Sequence, residues 1–355
     1  MSTALPTSRR ITGDTARDTL DFLLARVERR IQEFLAEERR VWAERNPDST
    51  ELIDCVARMV GSGGKRLRPA FCVAGYLAGG GDPGDDAVVD VAAALELLHT
   101  FALLHDDVMD DSGLRRGEPT AHRAHSALHR ERGWRGEARR YGEGVAVLAG
   151  DLALVYAERL LADCPPRARR VWGELCTELM VGQFLDVRAA ARFVPDPELA
   201  RWIALFKSGR YTVYRPLAMG AELAGAGELL GPFEEYGLAV GEAFQLRDDL
   251  LDAFGSPELT GKPAQLDFRQ HKMTLLMSYA LRDDAEIAAL VGDDPAGADP
   301  DRLHDLLLAN GFRDTVESAI AERLRSAEEV ARRALAPDWS AQLCAMARQA
   351  VHRTG

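Results

Sequence analysis

Two aspartate clusters of the same form stand out in this chain: Asp106-Asp107-Val108-Met109-Asp110 and Asp248-Asp249-Leu250-Leu251-Asp252. Each closes a long apolar run, and Gly or Pro follows soon after. On a helix, positions i, i+1 and i+4 let three carboxylates converge on one face. Like charges at that spacing repel, and carboxylates at a helix C-terminus also oppose the macrodipole. An arrangement built twice calls for something that neutralises it, and clustered carboxylate oxygens suit a hard divalent cation such as Mg2+. Two solvated helix ends are the plainer alternative, and the repetition speaks against it.

Basic groups in turn contexts accompany the acids. Gly63-Gly64-Lys65-Arg66-Leu67-Arg68-Pro69 sets cations beside flexible backbone, which suits a phosphate cradle or simply a solvated turn. Arg115-Arg116-Gly117-Glu118-Pro119 follows the first acidic cluster within one loop. Acid beside base in this order grips phosphate oxygens twice, through a cation and through guanidinium forks.

The elements that must carry these groups read as helices. From Thr15 the residues Leu20, Leu23, Leu24, Val27, Ile31, Phe34 and Leu35 recur at helical spacing. Further helices are expected over 51–61, 68–79, 86–110, 120–132, 143–163, 167–190, 197–224, 228–253, 272–282, 285–291, 301–309 and 313–350, with no alternating strand. The segments ending at the two acidic clusters are apolar around most of their circumference and so belong at the centre. The expectation is an all-α protein: residues 1–14 as a disordered tail, then one large helical bundle over 15–355 around a central cavity, with metal held above an apolar interior. Arg130 to Gly144, with Arg132, Arg135, Arg139 and Arg140, reads as a long solvated surface loop.

Composition narrows the class. The chain is 46% hydrophobic, enough for a sizeable core, and its formal charge of −12 argues against a general nucleic-acid binder. Five scattered cysteines without a CxxC pair read as reduced core thiols of a cytoplasmic protein, with no zinc site. No run approaches the roughly 18 consecutive apolar residues of a membrane span.

In order, the motifs are Gly63 to Pro69, His99, the first acidic cluster with Arg115-Arg116-Gly117, Gly150-Asp151, Gly182-Gln183, Lys207-Ser208-Gly209, Phe244-Gln245 before the second acidic cluster, Gly261-Lys262-Pro263, and Lys272. From about Gly61 to Leu276 this ordered set resembles the trans-isoprenyl diphosphate synthases, the polyprenyl synthetase family. The resemblance implies head-to-tail prenyl transfer, with isopentenyl diphosphate and allylic diphosphates as substrates and a homodimer as the working form. Asp106, Asp110 and Asp248 are then expected to hold about three Mg2+ ions on the allylic diphosphate, with Asp107, Asp249 and Asp252 assisting. Arg115, Lys207 and Lys262 would add contacts to that diphosphate, with Ser208 and Gln245 beside them. Lys65, Arg68, His99 and Arg116 would bind the diphosphate of isopentenyl diphosphate. The segment leading to Lys272 departs from the family pattern, with His271 where Gly is common.

In this family the residues just before the first acidic cluster floor the product cavity. Here they are Phe101, Ala102 and, a turn earlier, Leu98. An aromatic five residues before the motif, without an insertion in it, resembles geranylgeranyl (C20) synthases. Ala102 lies about 40° around the helix from Asp106 and Phe101 about 140° away, so Phe101 could equally be core packing. C20 is the expected product, with C15 as the alternative. A class I terpene cyclase and a silent partner subunit are the competing classes. A cyclase needs no second diphosphate site, and a silent subunit would be expected to have lost acids or cations that this chain keeps.

Overall fold

The computed structural model describes residues 13–192, 196–254, 274–292 and 299–351. In chain order the α-helices are α1 (Gly13–Arg45), α2 (Thr50–Gly61), α3 (Leu67–Ala78), α4 (Ala87–Met109), α5 (Ala121–Glu131), α6 (Ala138–Leu160) and α7 (Pro166–Arg192). Then follow α8 (Pro197–Ala204), α9 (Arg215–Ala224), α10 (Leu230–Phe254), α11 (Leu275–Asp283), α12 (Ala285–Val291), α13 (Pro300–Ala309), α14 (Phe312–Ala334) and α15 (Pro337–Val351). A π-helical run, Leu205–Tyr214, joins α8 to α9. One hydrophobic core takes in residues from α1 through α15. The fold is all-α.

Helix α4 is its axis, packed against α6, α3 and α1. Leu95, Leu97, Leu98 and Leu104 are fully buried, each contributing about 1.5–3 kcal/mol relative to exposure. By length and composition α4 resembles a membrane span, but most of it is buried inside the bundle, as in the core helix of a globular protein. The periodic residues of α1 behave as their spacing requires: Leu20, Leu23, Val27, Ile31 and Leu35 are buried.

Several boundaries differ from expectation. The first helix already includes Gly13 and Asp14, while residues 1–12 of the expected tail lie outside the described residues. The long loop expected over 130–144 is only the corner 132–137, because α6 starts at Ala138. The helix expected over 313–350 breaks at Leu335, which is extended (φ −120°, ψ 158°); Pro337, two residues on, has no N–H to continue the first helix and instead opens the next one. The expected single helix over 197–224 contains the π run. There the Arg215 N–H reaches back five residues to Arg210 O, and Pro216, without an N–H, cannot restore the α pattern. Two short strands, Leu114–Arg115 (β1) and Glu118–Pro119 (β2), were not expected, and two residues are too few for alternation to show. All five cysteines are free, but only Cys55, Cys72 and Cys344 are buried, whereas Cys164 and Cys176 are half-buried.

Glycine sets the closest helix contact. A Cβ at Gly220 would stand 2.0 Å from Cys72 O on the facing helix α3. Gly173 in α7 has nothing within 4 Å of the same position. Urea denaturation should therefore separate two chemically identical changes: Gly220→Ala should destabilise by about 1–3 kcal/mol, and Gly173→Ala should stabilise by about 0.5–1 kcal/mol.

Candidate active site

The two acidic clusters end two core helices, and each follows the same plan. Asp106 and Asp107 lie in the last turn of α4 and Asp110 caps it; Asp248, Asp249 and Asp252 lie in the last two turns of α10. The second aspartate of each is buried: Asp107 is 0% exposed and Asp249 2%. The outer four, Asp106, Asp110, Asp248 and Asp252, are half-buried. Buried carboxylates require partners. Arg115 donates to Asp107 Oδ1 through Nε (2.9 Å) and Nη2. Gln245 Nε2 donates to Asp249 Oδ1 (2.9 Å), and the Leu276 N–H at the head of α11 donates to Asp249 Oδ2 (3.3 Å). So Arg115 and Gln245, expected on substrate, each commit donors to a motif aspartate.

The unexpected strands explain how Arg115 and Arg116 part company. β1 and β2 pair antiparallel, Leu114 with Pro119 and Arg115 with Glu118. Their two-residue turn, Arg116-Gly117, has φ of 53° and 82°, the positive pair of a type I′ hairpin, for which Gly is favoured. Arg115 turns in to Asp107, and Arg116 at the tip donates to Ser62 Oγ (3.0 Å). Its guanidinium lies over Gly64, where a Cβ would come within 2.9 Å of Nη2. The hairpin thereby joins the basic turn to the first acidic cluster.

A cation cluster forms behind that turn. Arg68 donates to Thr212 Oγ1 (3.0 Å), and its guanidinium sits 4.2 Å above the Tyr211 ring. His99 Nδ1 lies 3.5 Å from the Tyr211 hydroxyl. Burial, then the charges of Arg68, Arg116, Arg115 and Arg66, hold His99 well below the ordinary imidazole value of 6.5. Burial, and then Arg115, also lowers Arg116. Repulsion among these groups is relieved by an anion, which suits a diphosphate. Arg66 instead donates to Glu96 (2.6 Å) and Glu28 (3.0 Å), pinning the turn to α4 and α1. Lys65 is exposed on the turn.

Lys207 enters from the π run, and π-helical segments often mark functional sites. Its Nζ donates to Asp186 Oδ2 at 2.6 Å. A Cβ on Gly182 would stand 3.4 Å from the Lys207 stem, and Gln183 Nε2 reaches Met109 Sδ at 3.8 Å. Hence the Gly182-Gln183 segment of α7 lies between Lys207 and the first acidic cluster. Gly150 has an equally local reason: a Cβ there would stand 2.3 Å from the His105 ring, whose Nε2 lies 3.0 Å from Val147 O. Asp186, Tyr211 and Thr212 escaped the sequence reading. The available signals were that Asp186 follows Gln183 by three residues and Tyr211 follows Lys207 by four.

Ser208 falls within the π run, and Lys262 and Lys272 lie outside the described residues. Among the described residues no three His, Cys, Asp or Glu side chains gather closely enough to hold a metal ion alone. The donors nevertheless fit Mg2+. They are carboxylate oxygens, Asp107 Oδ2 is buried without a hydrogen-bond partner, and Mg2+ is usually bound by one or two carboxylates together with phosphate oxygens rather than by an all-protein cage.

The cation cluster carries a pH signature. Burial lowers His99, His122 and His125 alike. Below the unfolded value near 6.5 the unfolded chain binds more protons than the folded one, so stability should fall as pH drops through 6.5. Urea midpoints at pH 7.5 and 5.5 should show this loss, and His99→Gln should shrink it; an unchanged gap would mean that His99 is not held neutral.

Comparison with known proteins places this geometry. Residues 49–303 match the polyprenyl synthetase family. The chain is 31% identical over 293 residues to the geranylfarnesyl diphosphate synthase of Aeropyrum pernix, covering 79% of this chain and 86% of that one. It is 33% identical over 281 residues to the geranylgeranyl diphosphate synthase of Mycobacterium tuberculosis, covering 75% and 74%. Geranylgeranyl pyrophosphate synthase from Corynebacterium glutamicum, solved with isoprenyl diphosphate and magnesium, superposes with a TM-score of 0.87 at 34% identity, covering 94% of this chain and 99% of that one. With its acidic helix ends, its cation cluster and this match across most of its length, the chain belongs to the polyprenyl synthetase family of trans-prenyl diphosphate synthases.

Proposed function

We propose that this prenyltransferase condenses isopentenyl diphosphate with allylic diphosphates in a Mg2+-dependent reaction and releases geranylgeranyl diphosphate. The observation that carries the two-substrate reading is Arg116 lying over Gly64 beside Arg68 and His99, a cation cluster distinct from the carboxylates. A cyclase, which ionises one diphosphate, has no use for it. Asp106, Asp110, Asp248 and Asp252 face the allylic diphosphate, with Asp107 and Asp249 fixing the two helix ends. About three Mg2+ ions, when bound, would neutralise the departing pyrophosphate. Lys207 contacts the same diphosphate, together with Lys262 and Lys272. Lys65, Arg68, His99 and Arg116 hold the diphosphate of the second substrate. As the allylic C1–O bond breaks, the electron pair leaves with pyrophosphate, and the double bond of isopentenyl diphosphate attacks C1. A proton is then lost to the departing pyrophosphate, and no side-chain nucleophile is needed.

The C20 product rests on Phe101, Ala102 and Leu98. Phe101 is 5% exposed, with its ring 4.6 Å from that of His105; Leu98 is fully buried, and Ala102 is small. The names of the relatives differ in chain length, so similarity alone does not choose. We also place the protein in the cytoplasm, as a single helical domain and a homodimer. The apolar residues Leu148 and Val155 of α6 and Val181 and Phe184 of α7 are all exposed and support the homodimer.

Purified chain incubated with Mg2+, isopentenyl diphosphate and dimethylallyl, geranyl or farnesyl diphosphate should give a C20 diphosphate from all three. Phe101→Ala should lengthen it; an unchanged product removes Phe101 as the floor, and accumulation of C15 with farnesyl diphosphate refused moves the floor a turn closer to the acids. Asp106→Asn and Asp248→Asn should each lower kcat by about 10²-fold or more. A hydrocarbon made without isopentenyl diphosphate would sink the synthase reading. In light scattering, Leu148→Glu with Val155→Glu should reduce the mass from two chains to one; retention of the dimer would place its interface elsewhere.

A further inference from the structure

The corner joining α5 to α6 has no part in the site just described. From Ala121 to Arg140 the chain carries six arginines against two glutamates, in a protein whose formal charge is −12. Arg123 pairs with Asp111, and Arg139 pairs with Glu143 in the next turn. Arg130, Arg132, Arg135 and Arg140 are exposed and make no ion pair among the described residues. Glu131 and Glu137 are the acids nearest in sequence, and both are exposed as well.

Trp134 stands in the middle of these arginines and is 43% exposed. It is not a loose side chain. Its backbone N–H donates to His129 O (3.2 Å), and its ring lies 5.2 Å from the Tyr141 ring and 6.1 Å from that of His129. Gly133 (φ 61°) and Gly136 (φ 95°) supply the positive torsions that turn the chain on either side of it. A packed, part-exposed aromatic ring is therefore flanked in sequence by four exposed arginines that make no ion pair among the described residues.

That combination matches the boundary layer of a lipid bilayer. An indole ring settles at the headgroup level with its apolar body inward, and guanidinium groups bind phosphate oxygens beside it. Charge complementarity selects an anionic surface. Nucleic acid fits less well, because it is gripped along an extended basic stripe. We propose that the α5–α6 corner docks the protein peripherally on an anionic lipid surface, with Trp134 inserted at the headgroup boundary and Arg130, Arg132, Arg135 and Arg140 on lipid phosphates. The inference does not depend on product length or on the assignment of the metal-binding acids.

The test is co-sedimentation of the full chain with vesicles of phosphatidylcholine, with and without phosphatidylglycerol, at low and high salt. Binding is expected only with phosphatidylglycerol and should weaken as salt rises. Each arginine near such a surface is worth about fivefold in affinity. The variant Arg132→Gln/Arg135→Gln/Arg140→Gln should therefore bind about 100-fold more weakly while keeping prenyl-transfer activity in solution. Vesicles should shift the intrinsic fluorescence of the wild-type chain to the blue, and Trp134→Phe should abolish that shift. The proposal is overturned by absence of binding at low salt, by binding that the triple variant leaves unchanged, or by tighter binding to an RNA oligonucleotide than to the vesicles in the same buffer.

Discussion

Carboxylate repulsion is the constraint on which the rest of this structure is arranged. Three aspartates end α4 and three more end α10, where the helix dipole is also unfavourable to them. The fold answers by burying one member of each cluster and clamping it. Arg115 holds Asp107, while Gln245 and the first turn of α11 hold Asp249. A clamped middle carboxylate fixes the rotation of its helix end, so its two half-buried neighbours point predictably. Removing a clamp would leave a buried charge unpaired, which is more costly than losing an exposed ion pair.

The cation side is organised by backbone torsion rather than by helix rotation. Arg66 and Arg116 both adopt left-handed φ, 48° and 53°, unfavourable for residues with a side chain. Each is offset by what its guanidinium reaches. Arg66 bridges Glu28 and Glu96, so α3 begins from a fixed point between α1 and α4. Arg116 reaches Ser62 and lies over Gly64. Segments about 50 residues apart in sequence thus build one anion-attracting surface. Burial first, and then the neighbouring guanidinium charges, hold the proton affinity of His99 and Arg116 below its ordinary value.

How much of this could be read beforehand depended on range. The helices were legible because apolar periodicity is local: Leu20, Leu23, Val27 and Ile31 on α1 needed no knowledge of their partners. The acidic clusters were legible because one turn of helix brings their oxygens together. What stayed hidden was settled by tertiary contact. Residue type and local spacing alone do not foretell that Asp107 is sealed under Arg115 while Asp106 stays half open. Asp186 looked like any helix carboxylate until the π run brought Lys207 to it. The hairpin at Leu114–Pro119 was too short for any period, and only Gly117 hinted at the turn.

The π run is the step that ties the two halves of the site together. It sets Lys207 toward α7 and presents Tyr211 and Thr212 to Arg68 on α3. An α-helix advances about 100° per residue, so residues four apart nearly share a face; the wider π turn shifts that relation and changes which side chains meet each neighbour. The irregular geometry is held by further salt bridges to α7 and α10. Arg210 pairs with Glu178 and Glu234, and the buried Arg215 pairs with Glu174 and Glu178. With Pro216 removing the N–H that α geometry would use, those ion pairs make the irregular helix a fixed part of the scaffold. Lys207 beside α7 and Arg68 on α3 are therefore both positioned by one segment, and a shift in its register would displace both.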